Sequence, residues 1–168
     1  AKGLDEKGTL VLNADNELVI EQGLKLNNKI CWYSTDEFNP LIQSQLKSGG
    51  AAVFIRNKQI IYASDNQQET IAALEQVPMT LDGAAEHNVQ NVLGVVGLCK
   101  ALNLPTQAIR DGLLNFGNNA QDNPGRGNIY DINGIKVLVD FAHNEHSMRA
   151  VVKTIKQQPA KRKIAMFS

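Results

Sequence analysis

The chain has 168 residues, 43% hydrophobic and 20% charged, which suits one ordinary globular domain or one domain and part of another. Its 17 basic side chains balance 17 acidic ones, so it lacks the excess positive charge that nucleic acids and anionic membranes attract. No apolar run approaches the roughly 20 residues of a membrane span, and the mixed, charged opening from Ala1 to Gly8 is unlike a secretory leader. Cys31 and Cys99 stand far apart in apolar company, without metal-ligand or redox spacing. They read as small core residues of a protein in a reducing compartment, the cytoplasm. The chain starts without methionine and stops on an apolar run, and so reads as a fragment.

In chain order, Thr9 to Asn13 is a short apolar run that ends in Asn13-Ala14-Asp15-Asn16, the pattern of a buried strand with a hydrogen-bonding exit turn. Lys29 to Ser34 predicts a second strand, and Glu17 to Gly23 a short helix between them, a minimal βαβ unit. Phe38 to Leu46 predicts a helix that Gly49-Gly50 breaks. Ala51 to Ile55 and Gln59 to Ala63 predict an antiparallel hairpin lying over the main sheet, turning at Arg56-Asn57-Lys58. Asn66 to Gln76, rich in glutamine, reads as helix or loop.

After Asp82-Gly83 the pattern changes. Val89, Val92, Leu93, Val96 and Cys99 recur at helical spacing, which predicts one apolar helix face ending near Asn103. Pro105 opens a second helix with Ile109, Leu113 and Phe116 on one side. So short a link should leave the two helices antiparallel. Gly117 to Pro124 is polar and turn-prone and divides the chain into residues 1–123 and 124–168. Beyond it, Ile135 to Val139 predicts a strand buried on both faces. Met148, Val151, Val152 and Ile155 mark an amphipathic helix, and Lys163 to Ser168 the next strand, the opening of another βαβ unit. The expected fold class is α/β.

Three clusters carry chemistry. In His87-Asn88-Val89-Gln90-Asn91, the two asparagines are three apart and share a helix face. A carboxamide complements the N6/N7 edge of adenine; the structural alternative is that Asn88 caps the helix and Asn91 is ordinary surface. In Asn123-Pro124-Gly125-Arg126-Gly127, glycines let the backbone bend around an arginine suited to phosphate, or to a solvated turn. In Asp140-Phe141-Ala142-His143-Asn144, a carboxylate ends a strand, where it can accept from ribose hydroxyls. His143 and Asn144 then stand at the mouth of a helix, where amides favour anions; the alternative is a cap by Asn144 with Asp140 in a loop. The sequence holds no GxxxxGK[ST] loop, GxSxG elbow, HExxH or compact metal-ligand cluster, so no catalytic residue or metal ligand is assigned.

Taken in order, these motifs resemble those of the Mur ligase superfamily, ATP-dependent enzymes that join an amine to a carboxylate. Asn13-Ala14-Asp15-Asn16 is similar to the family's Asn-Ala-Asp-Asp exit turn, and His87 to Asn91 to its Gly-x-His-Asn-x-x-Asn adenine motif. Pro124-Gly125-Arg126 and Asp140 to Asn144 are similar to its Pro-Gly-Arg and Asp-Tyr-Ala-His-Asn-Pro motifs. Asn123 and Asn128 around the arginine are most like the cyanophycin synthetase branch. The departures are Ala85 for glycine, Asn16 for aspartate, Phe141 for tyrosine and Glu145 for proline.

The resemblance implies the back of a central ATPase domain over residues 1–123 and the start of a Rossmann-like C-terminal domain over 124–168. It implies that Asn88 and Asn91 hold adenine, Arg126 reaches the phosphates, Asp140 takes the ribose hydroxyls, and His143 and Asn144 line the nucleotide side of the cleft. The phosphate loop and the magnesium ligands would lie before Ala1, so this part alone would be inactive. The reaction implied for the whole protein is amide formation through an acyl phosphate, using ATP, magnesium, a carboxylate substrate and an amino-acid or peptide amine. The alternative is a noncatalytic binding or assembly module that keeps the ligase fold.

Overall fold

The computed structural model describes Asp5, residues 7–117 and residues 119–166. Five strands form one sheet in sequence order: β1 (Thr9–Asn13), β2 (Lys29–Ser34), β3 (Ala52–Arg56), β4 (Gln59–Ser64) and β5 (Gln67–Ala73). β1, β2 and β3 run parallel; β4 and β5 add antiparallel. The two parallel connections are made by α1 (Glu17–Gly23) and α2 (Pro40–Lys47), as parallel pairing requires a crossover. Each starts on an asparagine cap: Asn16 Oδ1 accepts from Val19 N at 3.1 Å and Asn39 Oδ1 from Leu41 N at 2.9 Å. Asp15 accepts from Ser34 Oγ at 2.5 Å and Thr35 N at 2.9 Å, so the exit turn of β1 is sewn to the end of β2.

Alternation along the strands builds two cores. Cys31 and Val53 join Val89, Leu93, Val96 and Ile109 of the helices α3 (Glu86–Ala101) and α4 (Thr106–Asn115). Their neighbours Trp32 and Phe54 face the other way, onto Ile42 of α2. Backbone approach is close on the α3 side, where a Cβ on Gly97 would stand 2.6 Å from Val11 Cγ1.

Two expectations are corrected here. The Ala51–Ala63 hairpin does not lie over the sheet but extends it, because β3 pairs in parallel with β2 and carries β4 out in the same plane. Asn57 and Lys58 take φ of 49° and 60°, the left-handed pair of a two-residue type I′ loop. Asn66 to Gln76 is neither helix nor loop over most of its length: β5 occupies it, after a second left-handed pair at Asp65 and Asn66. Its glutamines are solvent-facing and hide the pattern, while Ile71, Ala72 and Ala73 are buried, the first two within the core that α3 covers.

The rest of the chain is a smaller unit. β6 (Asn128–Ile132) and β7 (Ile135–Val139) form a separate antiparallel pair, turning at Asn133-Gly134, and α5 (Glu145–Gln157) follows. β7 is not buried on both faces as expected: Ile135 is 67% and Val139 45% exposed. A strand is covered twice only where layers lie on both sides, and of its five residues only Leu138 lines the small cavity shared with α5. Nor do Lys163 to Met166 form the expected strand; no ladder among the described residues includes them, and Ile164 and Met166 are exposed. Phe167 and Ser168 lie outside the described residues. The α/β class holds; among the described residues no closing strand of the second βαβ unit forms.

Candidate functional site

The first turn of α3 and the end of β7 border one site. α3 starts after Ala85, which serves as its N-cap without a side-chain bond, so Asn88 is three residues in and is not the cap. Its side chain is buried instead, and Nδ2 donates to the Met79 carbonyl at 2.9 Å. Thr80 holds the preceding turn in place, its hydroxyl 2.7 Å from the Leu74 carbonyl and accepting from Gly83 N. Asn91 lies one turn further along α3 and is exposed.

Both asparagines line an apolar hollow of about 430 Å³, with Val92, Val95, Leu113 and Phe116 among its walls. That volume falls in the range of small-molecule sites, and a few polar groups set in apolar walls are their usual make-up. Asn88 also borders a much smaller cavity, about 10 Å³, with Ala85 and His87 on one side and Gly127, Leu138, Asp140, Val151 and Thr154 on the other. Two contacts fasten α5 across this gap: Lys153 pairs with Glu86, and Thr154 Oγ1 stands 3.4 Å from the Ala84 carbonyl.

Arg126 is presented by a turn that Asn128 shapes. Asn128 is 1% exposed; it donates to the Asn123 carbonyl at 2.9 Å and accepts from Gly125 N at 2.6 Å. Gly125 and Gly127 take φ of 72° and 64°, which side chains resist. Phe141 N donates to the Gly125 carbonyl at 2.8 Å, tying the exit of β7 to this turn. The guanidinium of Arg126 lies 5.7 Å from the centre of the Phe141 ring, and that ring is 5.4 Å from His143. Asp140 is half-buried beside the turn, with Oδ2 about where a side chain on Gly127 would meet it, 4.0 Å from the Cβ position.

The six expected residues therefore divide. Asn88, Asn91 and Asp140 border adjoining hollows, with Asn88 common to both. Arg126 and His143 form an exposed cluster around Phe141 and line neither hollow. Asn144 is the N-cap of α5, accepting from Ser147 N at 2.9 Å while Ser147 Oγ accepts from Asn144 N at 3.2 Å. The charge of Glu145 is met by Arg149 at 2.7 Å. Among the described residues no group of three or more acidic, histidine or cysteine side chains could hold a metal ion. No helix among them is long and apolar enough to cross a membrane.

Sequence reasoning passed over two residues. His87 was only the first letter of a motif, yet its Nδ1 is buried and has no hydrogen-bond partner among the described residues. Burial pushes its imidazole below the ordinary value, while the charge of Asp140 pulls it back up. Phe141 entered the sequence reading only as a departure from the family's tyrosine, but it is the ring on which Arg126 and His143 meet. The available signal was its place between the strand end and the helix mouth.

Residues 125–168 match the family model described as Mur ligase, glutamate ligase domain. The chain is similar to cyanophycin synthetase of Synechocystis sp., 30% identical over 156 residues, 93% of this chain and 18% of that protein. It is 25% identical over 151 residues to UDP-N-acetylmuramate–L-alanine ligase of Ruthia magnifica, covering 89% of this chain and 30% of that one. A third relative is UDP-N-acetylmuramoylalanine–D-glutamate ligase of Acidobacterium capsulatum, 33% identical over 107 residues, 64% of this chain and 21% of the relative. These matches place the chain in the Mur ligase superfamily, with cyanophycin synthetases among its relatives. The chain spans less than a third of each of these proteins.

Proposed function

We propose that this chain is the adenosine-holding and hinge portion of an ATP-dependent ligase that joins an amine to a carboxylate through an acyl phosphate. The observation that carries the reading is the pairing of Asn88 and Asn91 on one face of α3, at the wall of an apolar hollow next to Asp140. The base would enter the hollow, with the Asn91 carboxamide meeting its donor and acceptor edge. Asn88, already spent on Met79, would hold the rim in shape. Asp140 would accept from ribose hydroxyls, and Arg126 would swing from the Phe141 ring toward the phosphates. His143 and Asn144 belong to the same side of the cleft, Asn144 chiefly as the cap that orients α5.

Residues 117–124 would let the second unit move. The exposed side chain of Asp122 accepts from Gly117 N at 2.9 Å and Asn119 Nδ2 at 2.7 Å, a local brace made of few bonds. Phosphoryl transfer itself would draw on magnesium and on fixed positive charge. The described residues offer no ligand set for that metal, and their part is to bind and orient the nucleotide. The amine joined to the carboxylate would be that of an amino acid or peptide, in line with the names of two relatives, an L-alanine ligase and a D-glutamate ligase.

Kinetics of the full-length enzyme test this reading. Asn91→Ala and Asp140→Ala should each raise the KM for ATP by about 10- to 100-fold, the loss of one or two hydrogen bonds to bound ligand. Unchanged ATP kinetics in both would refute it.

A further inference from the structure

We propose that His87 is a positioning residue, reaching from the first turn of α3 across the gap between the two units to fix the carboxylate of Asp140. Three observations converge on this. His87, from the start of α3, and Asp140, from the end of β7, line the same small cavity. That cavity is about 10 Å³, the room one water takes, and His87 Nδ1 makes no direct bond to Asp140, so one bridging water would join the two groups. And Nδ1 of His87 is buried with no partner among the described residues, a condition that folded proteins seldom leave uncompensated.

The chemistry of the two groups is matched. A neutral imidazole with its proton on Nδ1 donates, and a carboxylate only accepts. The other charges near His87 are already engaged with each other: Glu86, next to it on α3, is paired with Lys153 of α5. That leaves Asp140 as the charge from β7 acting on the ring. The bond would do more than hold one side chain. Asp140 is joined through Phe141 N to the Gly125 carbonyl, and so to the arginine turn. Fixing Asp140 from α3 therefore sets where the end of β7, and the turn that carries Arg126, stand relative to the asparagines of α3.

This inference rests on the nucleotide reading only for its consequence, and its test keeps the two apart. The first measurement uses this chain and follows the imidazole ¹⁵N shifts of His87 through a pH titration. In Asp140→Asn the midpoint should fall by about half a pH unit or more, since the favourable charge is gone. In Asp131→Asn, whose side chain sits at the far turn of the hairpin, it should stay in place. A midpoint unchanged by Asp140→Asn overturns the proposal.

The second measurement uses the full-length ligase. His87→Leu should raise the KM for ATP about 3- to 10-fold with kcat within about twofold, and His87→Asn, whose amide nitrogen can replace Nδ1, should restore most of it. Adding His87→Leu to Asp140→Ala should then change nothing further, because His87 acts through that carboxylate. If Asp140→Ala raises the KM and His87→Leu does not, this proposal falls and the nucleotide reading stands. If Asp140→Ala and Asn91→Ala both leave ATP kinetics unchanged, the nucleotide reading falls, and the titration alone decides whether His87 holds Asp140.

Discussion

The two parts of the chain are built from the same kinds of element but are stabilised differently. In the five-stranded part, neighbouring residues on one strand, such as Val53 and Phe54, are each fully buried in a different core. In the smaller part, β6 and β7 pair with each other, yet Ile132, Ile135 and Val139 remain more than 40% exposed. The ladder alone buries little: hydrogen bonding sets the register, and apolar burial supplies the free energy. The smaller part holds its place by a few specific contacts at the start of α3, and those contacts are where the candidate site lies.

Mutation should expose that asymmetry most strongly in the larger core. Phe54→Ala, at a side chain with no exposure, should cost about 3–5 kcal/mol in denaturant unfolding, a large share of a domain's total stability. Ile135→Ala on β7 should cost only about 0.5 kcal/mol or less, as at an ordinary surface position. Equal costs for the two would break the contrast. An intermediate loss is expected for Gly97→Ala, about 1–3 kcal/mol, because the added methyl would press on Val11, whose branched side chain can yield little.

The smallest effect concerns pH and sharpens the contrast at the contact between the parts. His87 has a folded value lowered by burial, so the unfolded chain binds its proton more readily. The stability it contributes is present above its unfolded value, near 6.5, and is lost as pH falls through the lowered folded value. Stability measured downward from about pH 7 should therefore fall less steeply in His87→Asn than in the wild type. Identical slopes would show that the group does not titrate with unfolding. Cys31 runs the other way: burial pushes its thiol to about 12, so alkylation of the native protein near pH 8 should be very slow.

Much of the larger part was legible because its signals are local. Val89, Val92, Leu93 and Val96 announce α3 by spacing alone, and Thr9–Asn13 and Lys29–Ser34 announce two strands. β5 was not legible, since glutamines on its solvent side mask the alternation; the overlooked clue was Asp65-Asn66, a turn pair that tolerates the left-handed conformation. β7 misled in the opposite direction. A strand apolar at nearly every position promises two covering layers, but a strand does not encode which layers its neighbours supply.

For the candidate site, the residue types were in the sequence and the partnerships were not. The motifs singled out Asn88, Asn91, Arg126 and Asp140, because carboxamides, guanidinium and carboxylate are what a nucleotide's parts bind. Only the tertiary structure decided that Asn88 spends its amide on Met79, that Asn144 caps α5, and that Arg126 rests on Phe141. It also decided that His87 and Asp140 line one small cavity, where the carboxylate charge acts on the imidazole. Periodicity and capping act over a few residues and can be read along the chain. A contact between residues 87 and 140 depends on how two sheets and a linking turn are set in space, which no local pattern records.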